Sequence, residues 1–199
     1  MPPTPAAEIE RLQRQINDLK ARLRQARRAA APEPTPDHEL RRPDGTPVRL
    51  SALFGEKDDL FVVHNMGRGC AYCTLWADGF TGLAPHLQDR AAFVLCSNDA
   101  PEIAGAFAAE RGWNFPVVSG AGSDFAREMG FASAEGKPWP GVSAFRRLKD
   151  RSIVRTGSAP FGPGDDFCPL WPLFDLLEGG AGDWAPRYSS TRERPISPA

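Results

Sequence analysis

The stretch HNMGRGCAYCTLWADGF, residues 64–80, decides how the rest of the chain is interpreted. It places Cys70 and Cys73 in a C-x-x-C spacing, after the apolar run DLFVVHN and before a segment of helical composition. A strand, a glycine-containing loop and a helix that begins at the first cysteine are therefore predicted. In this context the cysteine pair is a redox-active dithiol, half of a metal site or two structural residues.

Dithiol chemistry requires one cysteine held as a thiolate and a second one near enough to resolve a mixed disulfide. Unpaired N–H groups and the dipole at a helix N-terminus stabilise a thiolate, so Cys70 is the expected nucleophile. Cys73 follows one turn later on the same face and is the expected resolving thiol. Arg68 and His64 are close enough in sequence to add positive charge and to lower the pKa of Cys70 further. These catalytic assignments require no cofactor.

Metal binding by the same cysteines is the main alternative. A structural zinc site would need two further ligands, and the sequence shows no second cysteine pair or H-x-x-x-H arrangement to supply them. A copper site built from Cys70, Cys73 and His64 or His86 is chemically reasonable, because thiolate and imidazole suit Cu(I). For His64, a role as an ordinary strand-end residue is an equally good interpretation.

The two remaining cysteines are interpreted as structural. Cys96 lies within the apolar run AAFVLCSN and is expected to be a small buried hydrophobe. Cys168 precedes Pro169 in a loop, where a packing role is favoured over that of an exposed third thiol. Pro140 comes directly before the predicted strand GVSAF and would shape a groove beside the dithiol, with a trans peptide bond as the expectation.

The composition favours one globular core in a reducing compartment. The chain has 199 residues, 41% of them hydrophobic and 25% charged, and a net charge of −1 gives no reason to expect nucleic acid or a membrane as partner. No run approaches the roughly 18 apolar residues of a membrane span, and the start of the sequence lacks a signal-peptide pattern. A cytoplasmic location with free thiols is therefore expected.

The N-terminal segment is predicted to form a long amphipathic helix over residues 6–30. Its apolar residues recur at alternating steps of three and four, which is the a/d seam of a coiled coil. We expect either a two-stranded parallel pairing, which would make the protein a homodimer, or packing of a single helix on its own domain. The seam consists of Ile9, Leu12, Ile16, Leu19, Leu23 and Ala26.

Three segments are predicted along the chain. Residues 1–36 carry the amphipathic helix and a proline-rich linker, residues 37–180 form the core domain, and residues 181–199 form a tail. The tail is dense in glycine, serine and proline and is expected to be largely disordered. Trp184 and Tyr188 could hold part of it against the domain.

Strands and helices alternate through the core domain, which predicts a three-layer α/β sandwich with a central sheet. The helix after Cys70 is expected to turn Leu75, Trp76, Leu83 and Leu87 inward and to bend at Pro85. A hairpin over residues 142–158 and a helix that ends at Gly179 are predicted to complete the domain.

The stretches C-x-x-C-x-x-W-A-D-G-F and R-G-W-x-F-P-V-V-S-x-x-G-S-D-F, with PGVSAF after them, resemble the thioredoxin-like bacterial family known as domain of unknown function 899. The similarity covers about residues 37 to 178. It implies a thioredoxin-like fold related to thioredoxins and peroxiredoxins, with Cys70 and Cys73 in the family's cysteine motif. The resemblance supplies no established activity.

Two departures from better-known relatives affect the functional prediction. The peroxiredoxin pattern P-x-x-x-T-x-x-C is absent, since Gly67 and Val63 stand where a threonine and a proline would precede Cys70. A peroxidase of that class is therefore disfavoured. Ala71 and Tyr72 fill the C-x-x-C motif, and such dipeptides tune the reduction potential.

We predict a thiol-disulfide oxidoreductase acting on protein or small-molecule thiols and disulfides, with a metal-binding protein or a noncatalytic interaction module as alternatives.

Overall fold

The structure is a computed structural model that describes residues 4–187 of the chain. It divides into two compact units, one ending at Glu33 and the other beginning at Pro34. The first unit is dominated by helix α1, Pro5–Ala29, as predicted. Thr4 caps this helix by accepting the N–H of Ala7 at 3.3 Å, and the proline at the first helical position has no N–H that would lack a partner there. The seam from Ile9 to Leu23 is exposed.

The second unit alternates strands with helices over most of its length. The helices are α2 (Ala71–Arg90), α3 (Pro101–Arg111), α4 (Phe125–Glu128) and α5 (Leu170–Phe174), with a 3₁₀ turn at Leu50–Phe54. The strands are β1 (Glu33–Thr35), β2 (Glu39–Arg41), β3 (Pro47–Arg49), β4 (Asp59–Asn65), β5 (Ala92–Ser97), β6 (Val117–Ser119), β7 (Gly141–Arg147) and β8 (Ile153–Pro160).

One sheet joins all eight strands in the order β1-β8-β7-β4-β5-β6-β2-β3. Strands β4, β5 and β6 run parallel, and β7 lies antiparallel to β4 on the other side. The buried runs of β4 and β5 alternate between the two faces, so each strand contributes to two cores. One core lies under α2, α3 and α5, and the other lies under α4 and the 3₁₀ turn. This is the three-layer α/β arrangement predicted from the sequence.

Several local predictions are wrong. The proline-rich linker contributes the short strand β1, and β2 was not predicted at all. Leu83 is 49% exposed, because Ala84 rather than Leu83 faces the sheet from the fourth turn of α2. The last helix ends at Phe174 instead of continuing to Gly179.

Trp184, one of the two aromatic residues expected to hold the tail, lies within the described residues. The Trp184 ring lies 4.9 Å from that of Phe174 and 5.9 Å from that of Trp171. Tyr188 and the part of the predicted tail that follows it, residues 188–199, lie outside the described residues. None of the helices within residues 4–187 combines the length and the apolar character that a membrane span requires.

Candidate functional site

Cys70 lies at the N-terminus of α2, as predicted. Its backbone is extended, and its Sγ accepts the N–H of Cys73 at 3.2 Å, so the sulfur itself caps the helix. A hydroxyl, amide or carboxylate usually satisfies this N–H, and a thiolate is a suitable substitute because the helix dipole is positive at this end. Thr74 secures the first turn by donating both its N–H and its hydroxyl to the carbonyl of Cys70.

The two thiols differ in exposure and in acidity. Cys70 is half-buried, whereas Cys73 is 3% exposed. Hydrogen bonds from the Cys73 thiol and from the backbone of Cys73 and Tyr72 lower the pKa of Cys70 to about 6. The pKa of Cys73 is raised, because its thiol donates to Cys70 and because it is buried. At neutral pH the pair therefore holds one thiolate and one thiol, which is the protonation state that disulfide exchange requires.

The loop before Cys70 is fixed by side chains from two strand ends. Asn65 Oδ1 accepts the N–H of Gly67 at 2.8 Å, and Asp99 Oδ2 accepts the N–H of Arg68 at 2.7 Å. Gly67 has φ +108°, a conformation that favours glycine. The Asn65 amide also reaches the carbonyl of Cys73 at 3.4 Å. The turn that presents the sulfur is thus held from both sides.

A row of short polar residues ends the three parallel strands. Asn65, Ser97 and Ser119 are in register with one another and are buried. Ser97 Oγ accepts the N–H of Asp99 at 3.1 Å, and Ser119 Oγ donates to the carbonyl of Asp99 at 2.5 Å. Sequence reasoning missed this row. The signal that could have revealed it is that each of the three apolar runs ends in asparagine or serine.

His64 does not reach the cysteines. Its neighbours Val63 and Asn65 face α2, so His64 points to the opposite face of the sheet. There its ring stacks on Phe131 at 4.1 Å and its Nε2 lies 2.9 Å from Ser143 Oγ. Burial lowers its pKa to about 3, with a smaller effect from the charge of Arg155. The prediction that His64 adds positive charge beside Cys70 is therefore wrong.

The structure does not bring together the residues of the alternative copper site, Cys70, Cys73, His64 and His86. His86 is exposed on α2, thirteen residues after Cys73, and a helix rises about 1.5 Å per residue, so roughly 20 Å separates the two backbones. His64 lies across the sheet. Within residues 4–187, no group of three or more histidine, cysteine, aspartate or glutamate side chains is placed to hold a metal ion.

The remaining cysteines are buried, as the sequence suggested. Burial raises the pKa of Cys96 to about 12 and raises the pKa of Cys168 as well. Cys168 packs with Trp171 in the core beneath α2.

Pro140 precedes the β7 residue that pairs with His64, and its peptide bond is trans. It therefore lies beside the end of β4 from which the cysteine loop departs.

Asp78 links the two most distinctive stretches of the sequence. It lies two turns after Cys70 on α2 and accepts hydrogen bonds from the Arg111 guanidinium and, at 2.9 Å, from the Trp113 indole N–H. Arg111 and Trp113 belong to the R-G-W motif at the end of α3. The W-A-D-G-F and R-G-W motifs are therefore in direct contact, and this contact positions α2 against α3.

Structural comparison places this chain among proteins of the thioredoxin-like fold. It resembles the peroxidoxin BcpB of Mycobacterium tuberculosis, with 27% identity, a TM-score of 0.52 and coverage of 65% of this chain and 84% of that one. A cysteine-to-serine mutant of peroxiredoxin Q from Xanthomonas campestris gives 18% identity and a TM-score of 0.51 over 62% of this chain and 80% of that one. A hypothetical protein from Sinorhizobium meliloti 1021 gives 15% and 0.50, covering 81% of this chain and 90% of that one.

The fold is thus the thioredoxin-like α/β sandwich that the peroxiredoxins share. The chain belongs to the family described as bacterial protein of unknown function, DUF899, whose model matches residues 7–193. The family match extends beyond the core domain and includes nearly all of α1. The sequence matches no curated protein.

Proposed function

We propose that this protein is a thiol-disulfide oxidoreductase in which Cys70 is the nucleophile and Cys73 the resolving thiol. The observation that carries the proposal is the cap: the Cys70 sulfur accepts the N–H of Cys73 while its pKa falls to about 6. A cysteine thiol with a pKa slightly below the ambient pH attacks disulfides efficiently. Most of it is present as the thiolate, and that thiolate is still a good nucleophile.

The reaction follows from the positions of the two sulfurs. The Cys70 thiolate attacks one sulfur of a substrate disulfide, and the other sulfur leaves as a thiolate that takes up a proton. Cys73 then loses its proton and attacks the Cys70 sulfur of the mixed disulfide, which releases the second substrate thiol. The substrate disulfide gains two electrons, and the protein is left with a Cys70–Cys73 disulfide. The reverse sequence oxidises a dithiol substrate.

Reduction of an insulin disulfide under a dithiol reductant tests the proposal. We expect catalysis by the wild type, loss of catalysis in Cys70→Ser, and accumulation of a mixed disulfide in Cys73→Ser. The matched controls are Cys96→Ser and Cys168→Ser, each of which removes one thiol outside the pair and should retain catalysis. Equal activity in the Cys70→Ser variant and the wild type would refute the assignment.

Peroxide reduction by the same thiolate is the second candidate. It is favoured by the 27% identity to the Mycobacterium tuberculosis peroxidoxin and disfavoured by Gly67 at the position of the peroxiredoxin threonine. A hydroxyl that would hold a peroxide oxygen is therefore missing from that position. We infer that thiols and disulfides are better substrates than peroxides, and the relative rates of Cys70 oxidation by hydrogen peroxide and by a small disulfide test this preference.

We further propose that α1 pairs with α1 of a second copy and that the protein acts in the cytoplasm. The exposed seam of α1 supports the pairing, because an isolated helix of this length is marginal in water without a partner. All four cysteines are free thiols, which suits a reducing compartment. In this proposal residues 1–36 assemble the protein, residues 37–180 carry the chemistry, and residues 181–199 form the tail.

A further inference from the structure

A small cleft opens between Arg68, in the loop that leads to Cys70, and one face of α3. It has a volume of about 210 Å³ and is lined by Arg68, Glu102, Ile103, Ala106, Phe107 and Glu110. Arg68 stands two residues before Cys70, so its backbone lies within about 7 Å of the Cys70 backbone. Sites for drug-sized ligands usually measure about 300–1,000 Å³. The space therefore suits a smaller molecule, such as an amino acid or a short peptide, better than a nucleotide cofactor.

The lining carries charges of both signs. Arg68 lies on one side, and Glu102 and Glu110 lie two turns apart along α3. Within residues 4–187, the side chains of these three residues form no hydrogen bond or ion pair with another residue. Several charged groups elsewhere on the domain surface are paired, as Arg90 is with Asp59. The charges around the cleft are therefore available to a ligand.

The floor of the cleft is apolar and its position is fixed. Phe107 is buried at the base, with Ile103 and Ala106 on the same helical face. Arg68 is held at its backbone because Asp99 accepts its N–H at 2.7 Å. A ligand that matches this surface has a short aliphatic part, a carboxylate directed to Arg68 and an ammonium group directed to the glutamates.

We propose that this cleft binds the amino-acid part of a zwitterionic low-molecular-weight thiol while its sulfur is joined to Cys70 in a mixed disulfide. This inference rests on the proposed function and names its substrate class. The Cys70 thiolate attacks a small disulfide RSSR, one RS⁻ leaves and is protonated, and the remaining R group occupies the cleft. Attack by Cys73 on Cys70 then releases the second RSH. RSSR gains two electrons, and the protein dithiol is oxidised.

Rates of adduct formation at Cys70 test the inference in the Cys73→Ser background, where the mixed disulfide is trapped and can be counted by mass spectrometry. Oxidised glutathione is the zwitterionic probe and bis(2-hydroxyethyl) disulfide is the neutral reference. Each variant is described by the ratio of the two rates, so any change in the reactivity of the thiolate cancels. We expect Arg68→Gln to lower the ratio about fivefold, since an exposed charge contact contributes at most about a factor of five.

The glutamates distinguish recognition from general charge attraction. Oxidised glutathione has a net negative charge at neutral pH, so simple repulsion predicts that Glu102→Gln/Glu110→Gln raises its rate. Recognition of the ammonium group predicts the opposite, a fall of about fivefold in the ratio. Arg90→Gln and Glu56→Gln/Asp58→Asn are the matched controls, because they make the same charge changes at the opposite end of the strands and should leave the ratio unchanged.

The outcomes separate this inference from the proposed function. A lowered ratio of the two rates in both the Arg68 and the glutamate variants supports ligand binding in the cleft. Equal ratios in all variants, or a raised ratio in the glutamate variant, overturn the cleft and leave the oxidoreductase proposal intact, provided that the neutral disulfide still reacts at Cys70. Failure of Cys70 to react with either disulfide overturns both.

Discussion

The carboxylate of Asp99 lies 2.5 Å from the position that a Cβ on Gly67 would occupy. The two residues are in loops that follow adjacent parallel strands, β4 and β5. Asp99 approaches this closely because it also accepts the N–H of Arg68, one residue further along the cysteine loop. The path of the chain into Cys70 therefore depends on a side chain about thirty residues away.

Gly67→Ala should destabilise the reduced protein by about 2 kcal/mol, because the new methyl group meets Asp99 and because φ +108° is strained for alanine. Denaturant unfolding monitored by tryptophan fluorescence gives the free energy of unfolding. Gly69→Ala is the matched control: Gly69 lies in the same loop, and a Cβ there meets nothing within 4 Å. The control should cost less than about 0.5 kcal/mol, and equal effects of the two substitutions would contradict the clash.

The rate of Cys70 alkylation should follow a titration with its midpoint near pH 6, since its pKa is lowered to about 6. The thiolate is the reacting form, so the rate rises from pH 5 and levels off above about pH 7. An ordinary cysteine would instead show its midpoint near pH 8.5. Iodoacetamide labelling followed by peptide mass spectrometry measures Cys70 separately from the buried Cys96 and Cys168. A midpoint above pH 8 would remove the basis of the proposed chemistry.

Asp78→Ala should lower the free energy of unfolding by about 2 kcal/mol. The substitution leaves the Arg111 guanidinium, which is only 10% exposed, without its carboxylate and the Trp113 indole N–H without its acceptor. Asp124→Ala is the control, because its ion pair with Arg127 lies in solvent and should be worth less than about 1 kcal/mol. A double-mutant cycle of Asp78 and Arg111 would show little coupling if the contact were only a surface pair.

His64 should make the protein less stable in acid. Its pKa is about 3 in the folded protein and about 6.5 when unfolded, so between these values only the unfolded chain binds the proton. Stability is therefore lost as the pH falls from about 6.5 towards 3, by at most about 1.4 kcal/mol per pH unit from this group. Urea unfolding at several pH values should show a shallower loss for His64→Asn than for the wild type. The same slope in both would place the acid sensitivity elsewhere.

The exposed seam of α1 should make the protein associate. Sedimentation equilibrium of the wild type is expected to give a concentration-dependent dimer, and Leu12→Asp/Leu19→Asp should give a monomer, because charges at d positions disrupt a coiled coil. Asn17→Asp/Gln25→Asp adds the same charge off the seam and should still dimerise. A monomeric wild type at about 100 µM would show that α1 has another role.

The local features of the site could be predicted from the sequence, because they depend on residues close together in the chain. The spacing of Cys70 and Cys73 after an apolar strand is enough to place one sulfur at the helix start and the other one turn later. The helix bounds of α2 and the existence of the strands β4 and β5, but not their pairing, follow from the same local patterns.

The features that depend on tertiary packing could not be predicted. Alternation within DLFVVHN shows that His64 and Asn65 face opposite sides of the sheet, but not which side α2 covers. The wrong expectation for His64 came from proximity in sequence alone. Asp99 and Asp78 likewise act on residues about thirty positions away, and nothing in their local sequence indicates those partners. Leu83 was assigned inward by helical period, although the small Ala84 fits against the sheet at that turn.

The buried row of Asn65, Ser97 and Ser119 has a consequence for how a partner would meet the sulfur. These side chains satisfy the loop backbone from within, so the turn does not depend on an incoming molecule to become ordered. The loop would then lose little conformational entropy when a partner binds. The barrier to the first bond between Cys70 and the partner would come mainly from the thiol-disulfide exchange itself.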